Sequence, residues 1–325
     1  MRLTSQKSGA CRSPLPGVRP FLAVLFRVPH PRFLRVGLQF LLLCASTVLI
    51  APAFAQQNPD TMDPDQNKAK ARQVLKQAVD AMGGPLFRDQ TQSECDGRVA
   101  QFDRNGGTLG YSMVRSYWQY PDKNRSEYVV KTTKGGLFAV LWGNLPVKGG
   151  EFIQLFDGDK GWTMDKSGVN EADTTVVEEF QAALKRQLRN LLLHRANEEG
   201  VFLYYAGIGI SDMREVEWID FTDNDDRKVR VGIDHLTHLP LRTIATTPNQ
   251  DMHDKDEDIT IYTNYEPLQG VQTPMQVNRE HNGQRTHQIF YTSCTNSPSL
   301  PADFFTEGSL QKKFKDSGGK VKAQK

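Results

Sequence analysis

The chain has 325 residues, 38% of them apolar and 9% aromatic, with 24% charged and a formal net charge of +2. This composition can fill a core and excludes a disordered or low-complexity chain. The basic excess sits wholly in residues 1–55, which hold seven basic and no acidic residues, so the remainder carries 33 basic against 38 acidic residues. A mildly acidic body excludes the electrostatic footprint of a nucleic-acid-binding protein.

From Gly37 to Ala55 no residue is charged, and the run 38-LQFLLLCASTVLIA-51 leads to Ala53-Phe54-Ala55. A basic stretch, an apolar run and a small-x-small exit form the pattern of a secretory signal peptide, with cleavage predicted after Ala55. The alternative is an uncleaved membrane anchor, because about 19 uncharged residues just span a bilayer. Leu43 before Cys44 argues against lipidation, whose peptidase needs a small residue there. After cleavage two cysteines remain, Cys95 and Cys294. In an oxidising compartment they can bond, closing nearly the whole chain into one loop; two buried free thiols are the alternative.

Residues 56–66 contain Pro59 and Pro64 and read as a flexible leader. In 67-NKAKARQVLKQAVDAMGG-84, Ala71, Val74, Leu75, Ala78, Val79 and Met82 recur at three- and four-residue steps and predict an amphipathic helix. Asp65 can cap its start and Gly83-Gly84 can end it. Beyond Gly84 the period changes to two. Ser126, Tyr128, Val130 and Thr132 alternate with Arg125, Glu127, Val129 and Lys131, and similar runs centre on Val229–Ile233 and Ile259–Tyr265. Turn signals separate them, among them Asn105-Gly106-Gly107, Pro121-Asp122, Asp157-Gly158 and Asn282-Gly283. The expectation is an α+β, mostly antiparallel β protein, a meander of about ten strands with one apolar face. One helix interrupts it, 174-TTVVEEFQAALKRQLRNLLLHRA-196, with Val177, Phe180, Leu184, Leu188 and Leu191 in one stripe. Residues 306–325 are basic and poor in apolar side chains and read as a disordered tail; attraction to an anionic membrane surface is the alternative.

Motifs of reaction chemistry are few. The stretch 155-LFDGDKGWTM-164 opens like a calcium loop, but the positions that need Asp/Asn, Gly and Glu hold Gly161, Trp162 and Gly168, so it reads as a hairpin turn. Asp234, His235 and His238 lack the spacing of a helical zinc motif and read as an inter-strand turn, and the acidic run 251–259 reads as a solvated loop. There is no nucleophile elbow, phosphate loop, dinucleotide fingerprint or His-Glu-x-x-His motif. The prediction is a non-enzyme with no cofactor and no metal, a hydrolase with a spatially assembled site being the remote alternative.

The aromatic residues are more informative. A wide single-layer sheet capped by two helices has a surplus of apolar face, which either packs solid or leaves a hollow for an apolar ligand. Candidate lining residues are Trp118, Tyr128, Val130, Phe156, Trp162, Phe180, Leu184, Leu188, Tyr204 and Trp218.

Four stretches in order, 117-YWQYPDKNR-125, the Asp157-Gly158 to Trp162 hairpin, 233-IDHLTHLPLR-242 and 270-GVQTPMQV-277, resemble the LolA/LppX-like family of periplasmic lipoprotein and lipid carriers over roughly residues 67–305. The resemblance implies an incomplete, half-open antiparallel barrel with a helical lid and an apolar cavity for acyl chains. It implies a periplasmic monomer whose partners are a lipid or acylated lipoprotein, with inner-membrane release or outer-membrane acceptor proteins. In lipoprotein carriers of that family a basic residue stands just before the proline; here Gln119 and Tyr120 occupy the place, so a lipoprotein cargo in particular is not implied. The insertion 134–150 carries an apolar run, 137-LFAVLW-142, suited to a cavity mouth, a membrane or a partner. An envelope scaffold with a filled core and no ligand is the competing reading.

Overall fold

A carboxylate cap opens the first helix: Asp63 accepts a hydrogen bond from the Asp65 amide (3.0 Å) and Pro64 takes the first helical position, giving α1 (Pro64–Ala81). The computed structural model describes residues 58–130, 138–139, 146–147, 150–224, 227–249 and 254–318. The segment read from sequence as an export signal and most of the 137–142 run lie outside these residues. The cap is two residues earlier than Asp65. Within the expected flexible leader, Pro59–Thr61 form a 3₁₀ turn capped by Asn58, and the Tyr204 hydroxyl donates to Asp60 (2.7 Å).

After α1 and a short α2 (Pro85–Asp89) the chain is mainly strand. It forms β1 (Gln92–Phe102), β2 (Thr108–Gln119), β3 (Lys123–Val130), a two-residue pair β4 (Phe138–Ala139) and β5 (Pro146–Val147), β6 (Gly150–Asp157), β7 (Lys160–Asp165) and β8 (Gly168–Glu171). Two helices follow, α3 (Thr174–Arg186) and α4 (Leu188–Leu193). The second run is β9 (Phe202–Ser211), β10 (Arg214–Thr222), β11 (Lys228–Asp234), β12 (Pro240–Asn249), β13 (Asp254–Leu268), β14 (Val271–His281) and β15 (Gln284–Asn296), before a final α5 (Glu307–Asp316).

Thirteen strands form one open antiparallel sheet in the order β8-β7-β6-β3-β2-β1-β15-β14-β13-β12-β11-β10-β9. The chain enters at the centre, runs to one edge, crosses through α3 and α4 to the other edge, and returns to the centre. Tight turns carry much of the meander. Asn282 and Gly283 (φ 50° and 76°), Gln269 and Gly270 (51° and 81°) and Asp212 and Met213 (49° and 60°) are paired left-handed residues, the geometry that follows the twist of a two-residue hairpin.

The strand count exceeds the expected ten because several strands hide their alternation. β6 is buried on both faces, Phe152 among Tyr128 and Val277, Phe156 against α3, and Ile153 and Leu155 toward α5, so its run FIQLF shows no alternation of apolar with polar residues. The acidic run expected to be a solvated loop is strand from Asp254 onward, paired to β12 and β14.

The central seam joins β1 to β15. Cys95 lies opposite Cys294 in that pairing, and the two form a disulfide across 199 residues of sequence. A bulge falls at Asp96/Gly97, where a Cβ on Gly97 would lie 2.3 Å from the Phe290 carbonyl oxygen, so only glycine fits.

Helices α1 and α4 fill the hollow of the β9–β13 half, with Ala71, Val74, Ala78 and Leu191 against Ile219, Phe221, Val231 and Ile233. The amide of Asn67, buried in α1, meets edge strand β9 through both its atoms: Nδ2 donates to the Tyr205 carbonyl (2.9 Å) and Oδ1 accepts from the Tyr205 amide (2.8 Å).

The expected disordered tail is corrected over Glu307–Asp316. This helix lies on the outer face and buries Leu310 and Phe314 against Ile153, Leu155 and Met164. Its charge is matched by the sheet: Lys313 pairs with Glu127 (2.6 Å) and Glu151 (2.8 Å), while buried Arg125 pairs with Glu127 and donates to the Phe304 carbonyl (3.1 Å). Sequence periodicity over one short helix carries too little signal to show this docking.

Two stability measurements check this account. Replacing Cys95 and Cys294 with serine is expected to cost about 2–5 kcal/mol in urea unfolding, since the bridge restricts a very long loop in the unfolded chain. Leu310→Ala is expected to cost about 2–5 kcal/mol, the range for emptying a fully buried leucine site; a change near zero in either case would contradict the seam or the docked helix.

Candidate ligand cavity

Strands β8 and β9 are the two edges of the sheet, and the segment between them traverses its inner face. That segment is α3 and α4. Asp173 caps α3, accepting from the Thr175 amide (3.0 Å) and hydroxyl (2.8 Å). Its apolar stripe seats on β2 and β6: the Phe180 ring stacks on Phe156 at 4.2 Å between centroids and lies 6.3 Å from Trp118.

The single helix expected over 174–196 is broken at Gln187, which is extended (ψ 132°). No proline or glycine causes the break. The cause is Arg189, a buried residue on α4 whose guanidinium reaches the C-terminal end of α2. It donates to the carbonyls of Phe87 (2.6 Å), Arg88 (3.1 Å) and Gln90 (2.6 Å) and to Gln90 Oε1 (3.2 Å). These carbonyls have no partner within so short a helix, and a cation at a helix C-terminus is favourable. The guanidinium also lies over the rings of Tyr120 (4.3 Å) and Phe87 (4.8 Å). Burial lowers its pKa, with the nearby Tyr120 opposing that shift. Asn190 of α4 also reaches back across the break: its Nδ2 donates to the Leu184 carbonyl (2.9 Å), which accepts from the Gln187 amide as well (3.2 Å).

Between α3–α4 and strands β12–β15, β1 and β2 lies a half-open cavity of about 590 Å³. The helices contribute Phe180, Ala183, Leu184 and Leu188; the sheet contributes Trp118, Ala245, Val271, Val277 and Ile289. At the rim Asp258 holds two partners: Arg186 at the end of α3 (2.7 Å) and His281 of β14 (2.9 Å). Deeper in, Tyr120 shares a hydrogen bond with Ser93 (3.0 Å), and Tyr262, Arg279, His287 and Tyr291 line the sheet side. Burial and the neighbouring Arg279 push the His287 imidazole down to about 4, so it is neutral at neutral pH.

Of the ten side chains singled out from sequence, Trp118, Phe180, Leu184 and Leu188 line the cavity. Tyr128 and Phe156 are buried in the adjoining inner clusters. Three are elsewhere. Trp162 packs with Met164 and Leu310 beneath α5, the Tyr204 hydroxyl is engaged by Asp60, and Trp218 lies beside Gly209 and Gly232 with Arg230 5.9 Å from its ring. Aromatic identity does not report which face of a strand a residue occupies, and a bulge between Trp218 and Ile219 resets the alternation there. The side chain of Val130 lies outside the described residues. The lining of β13–β15 was missed from sequence; its signal is the shared face of Val271, Thr273, Val277 and Arg279 on β14, a mostly apolar row that ends in a cation.

Asp234 is committed to its turn, accepting from the Thr237 amide (2.6 Å) and hydroxyl (2.7 Å) and pairing with Arg214 (2.8 Å). Among the described residues no group of three or more His, Cys, Asp or Glu side chains is placed to hold a metal ion.

No family profile and no curated protein matches the sequence. Several solved structures are similar to it. One is a DUF1329 family protein from Desulfovibrio piger, with a TM-score of 0.49 and 11% identity over 77% of this chain and 100% of that one. Another is a protein described as a putative outer membrane lipoprotein-sorting protein domain from Vibrio parahaemolyticus, with a TM-score of 0.49 and 10% identity over 75% and 100%. A third is a LolA superfamily protein from Nitrosomonas europaea, with a TM-score of 0.46 and 14% identity over 74% and 99%.

Arg189→Met is expected to destabilise the protein by about 3–5 kcal/mol in denaturant unfolding, because buried carbonyls lose their charged donor. Arg189→Lys is expected to recover only part of this, since an ammonium lacks the planar fork. Full recovery by lysine would show that charge alone, without the fork geometry, holds the break.

Proposed function

We propose that this protein binds the hydrocarbon part of a lipid or acylated molecule in the cavity beneath α3 and α4, and carries it within the cell envelope. The observation that carries this reading is the cavity itself. Its 590 Å³ falls within the range of small-ligand sites, and its lid and much of its floor are apolar. The export signal expected from the sequence and the disulfide at the seam both suit an oxidising compartment outside the cytoplasm. Polar groups at the rim leave a place for a headgroup.

The thermodynamics favour exchange over capture. Each buried methylene contributes about 0.8 kcal/mol, so a sixteen-carbon chain gains about 12 kcal/mol relative to water. A bilayer offers a similar gain, so transfer between the two is nearly balanced and small movements of the lid can tip it. No covalent step is required, and the reading is of a carrier rather than an enzyme. Release and acceptor proteins of the two membranes are its natural partners.

The test is lipid uptake. The protein isolated from an envelope-containing host is expected to yield extractable lipid by mass spectrometry and to bind a neutral fluorescent probe such as N-phenylnaphthylamine. Ala183→Trp, which fills the cavity from α3, is expected to weaken probe binding about tenfold or more with the fold retained by circular dichroism. Absence of both lipid and probe binding would end the carrier reading.

A further inference from the structure

The outer face of the sheet, which carries α5, is not uniformly polar. On β2, Leu109, Tyr111 and Met113 alternate with Gly110, Ser112 and Val114; Val114 packs in the inner cluster with Tyr128 and Ile289, so the first three lie on the outer face. Met113 faces Val129 of β3 on one side and Arg98 of β1 on the other, and Arg98 faces Phe290 of β15. Residues directly opposite in an antiparallel pair share a face, so these four form one outward row across four strands. Leu109, Tyr111, Met113, Val129 and Phe290 are each between 41% and 61% exposed, and they are half of the ten large apolar side chains exposed among the described residues. Single exposed apolar residues are ordinary, but a cluster on one face marks a contact surface.

The charges around this patch leave one sign uncompensated. Carboxylates at its border are paired: Asp96 and Glu94 with Arg115 (2.5 and 3.8 Å), and Glu127 and Glu151 with Lys313 of α5 (2.6 and 2.8 Å). Asp103 accepts from the amides of Asn105 and Gly107 in its own turn (2.8 Å each). Glu280 faces Arg285, whose guanidinium lies 5.7 Å from the Phe102 ring. Arg98 in the row and Arg104 in the β1–β2 turn are exposed and have no carboxylate partner among the described residues. Helix α5 adds to them: Lys312 and Lys315 are exposed, turned away from the buried Leu310 and Phe314. Residues 306–325 hold six lysines against Glu307 and Asp316.

We infer that this outer face, from Phe290 across to α5, docks on a lipid bilayer with an anionic surface. The inference does not depend on the cavity, which lies on the opposite face of the same strands, so docking leaves the lid uncovered. Aromatic and aliphatic side chains beside arginines and lysines are the mixture that enters a headgroup layer: the apolar groups reach the acyl boundary and the cations meet the phosphates. A second copy of the chain fits this face less well, because a two-fold contact sets a patch against itself and brings Arg98 up to the same cations. An acidic helical partner would need a groove, whereas the row from Val129 to Phe290 runs across continuous sheet.

The experiment is flotation of the chain isolated after export with vesicles of phosphatidylcholine alone and of phosphatidylcholine mixed with phosphatidylglycerol. Binding to the anionic vesicles is expected to be at least about tenfold tighter and to weaken as salt rises. Arg98→Gln is expected to weaken it about fivefold, and Arg98→Gln combined with Lys312→Gln and Lys315→Gln about a hundredfold. Tyr111→Ser with Met113→Ser is expected to weaken it about tenfold at every salt concentration. These side chains are exposed, so circular dichroism is expected to show an unchanged fold, and uptake of N-phenylnaphthylamine is expected to stay within about twofold in each variant. Equal binding to the two kinds of vesicle, binding to neither, or anionic binding that all the variants retain would overturn the inference. So would a dimer in sedimentation equilibrium that Met113→Ser dissociates, since the face would then belong to a second copy.

Discussion

The position of β8 and β9 at opposite edges of a thirteen-stranded sheet constrains everything else in this molecule. Two antiparallel runs, six strands one way and seven the other, meet at β1 and β15 and leave β8 and β9 as the two unpaired edges. The chain that continues from one edge to the other crosses the inner face, and its crossing segment buries an apolar side on the sheet. The stripe of Val176, Phe180, Leu188 and Leu191 supplies that side. The lid is thus a consequence of topology, and the cavity beneath it exists because two short helices cannot fill so wide a face.

The crossing is held at three places of different chemistry. Near its start Phe180 stacks on Phe156; at its break Arg189 is locked to the end of α2; at the rim Arg186 meets Asp258. The first is nonpolar packing, the second a buried cation on backbone carbonyls, the third a partly exposed ion pair of modest strength. Resistance to movement therefore falls along the crossing from the α2 anchor to the rim. The seam opposite, closed by Cys95 and Cys294, keeps the two runs of strands together whatever the lid does.

Helix α1 and strand β6 show how the remaining hollow is apportioned. On the β9–β11 side α1 fills the interior and Asn67 ties it to edge strand β9. On the outer side α5 covers β6 with Leu310 and Phe314. The unfilled volume is left along β12–β15, where the floor mixes Val277 and Ile289 with Arg279 and His287. Such a mixture suits a ligand that is itself part hydrocarbon and part polar.

Much of this was legible in the residues. The stripe from Ala71 to Met82, the period-two runs and the Asn282-Gly283 turn act through neighbours in sequence, and they determined α1, the antiparallel meander and the apolar face. They also pointed to Trp118, Phe180, Leu184 and Leu188. Tertiary structure alone decided that Cys95 faces Cys294, that the lid breaks at Gln187, that Glu307–Asp316 docks as a helix, and that Trp162, Tyr204 and Trp218 lie away from the cavity. It alone aligned Thr243, Thr260, Arg279 and His287 into one row. The reason is register: a periodic pattern fixes which residues share a face within one element, but the pairing of elements distant in the chain, and each bulge that shifts it, is set by packing that no single segment contains.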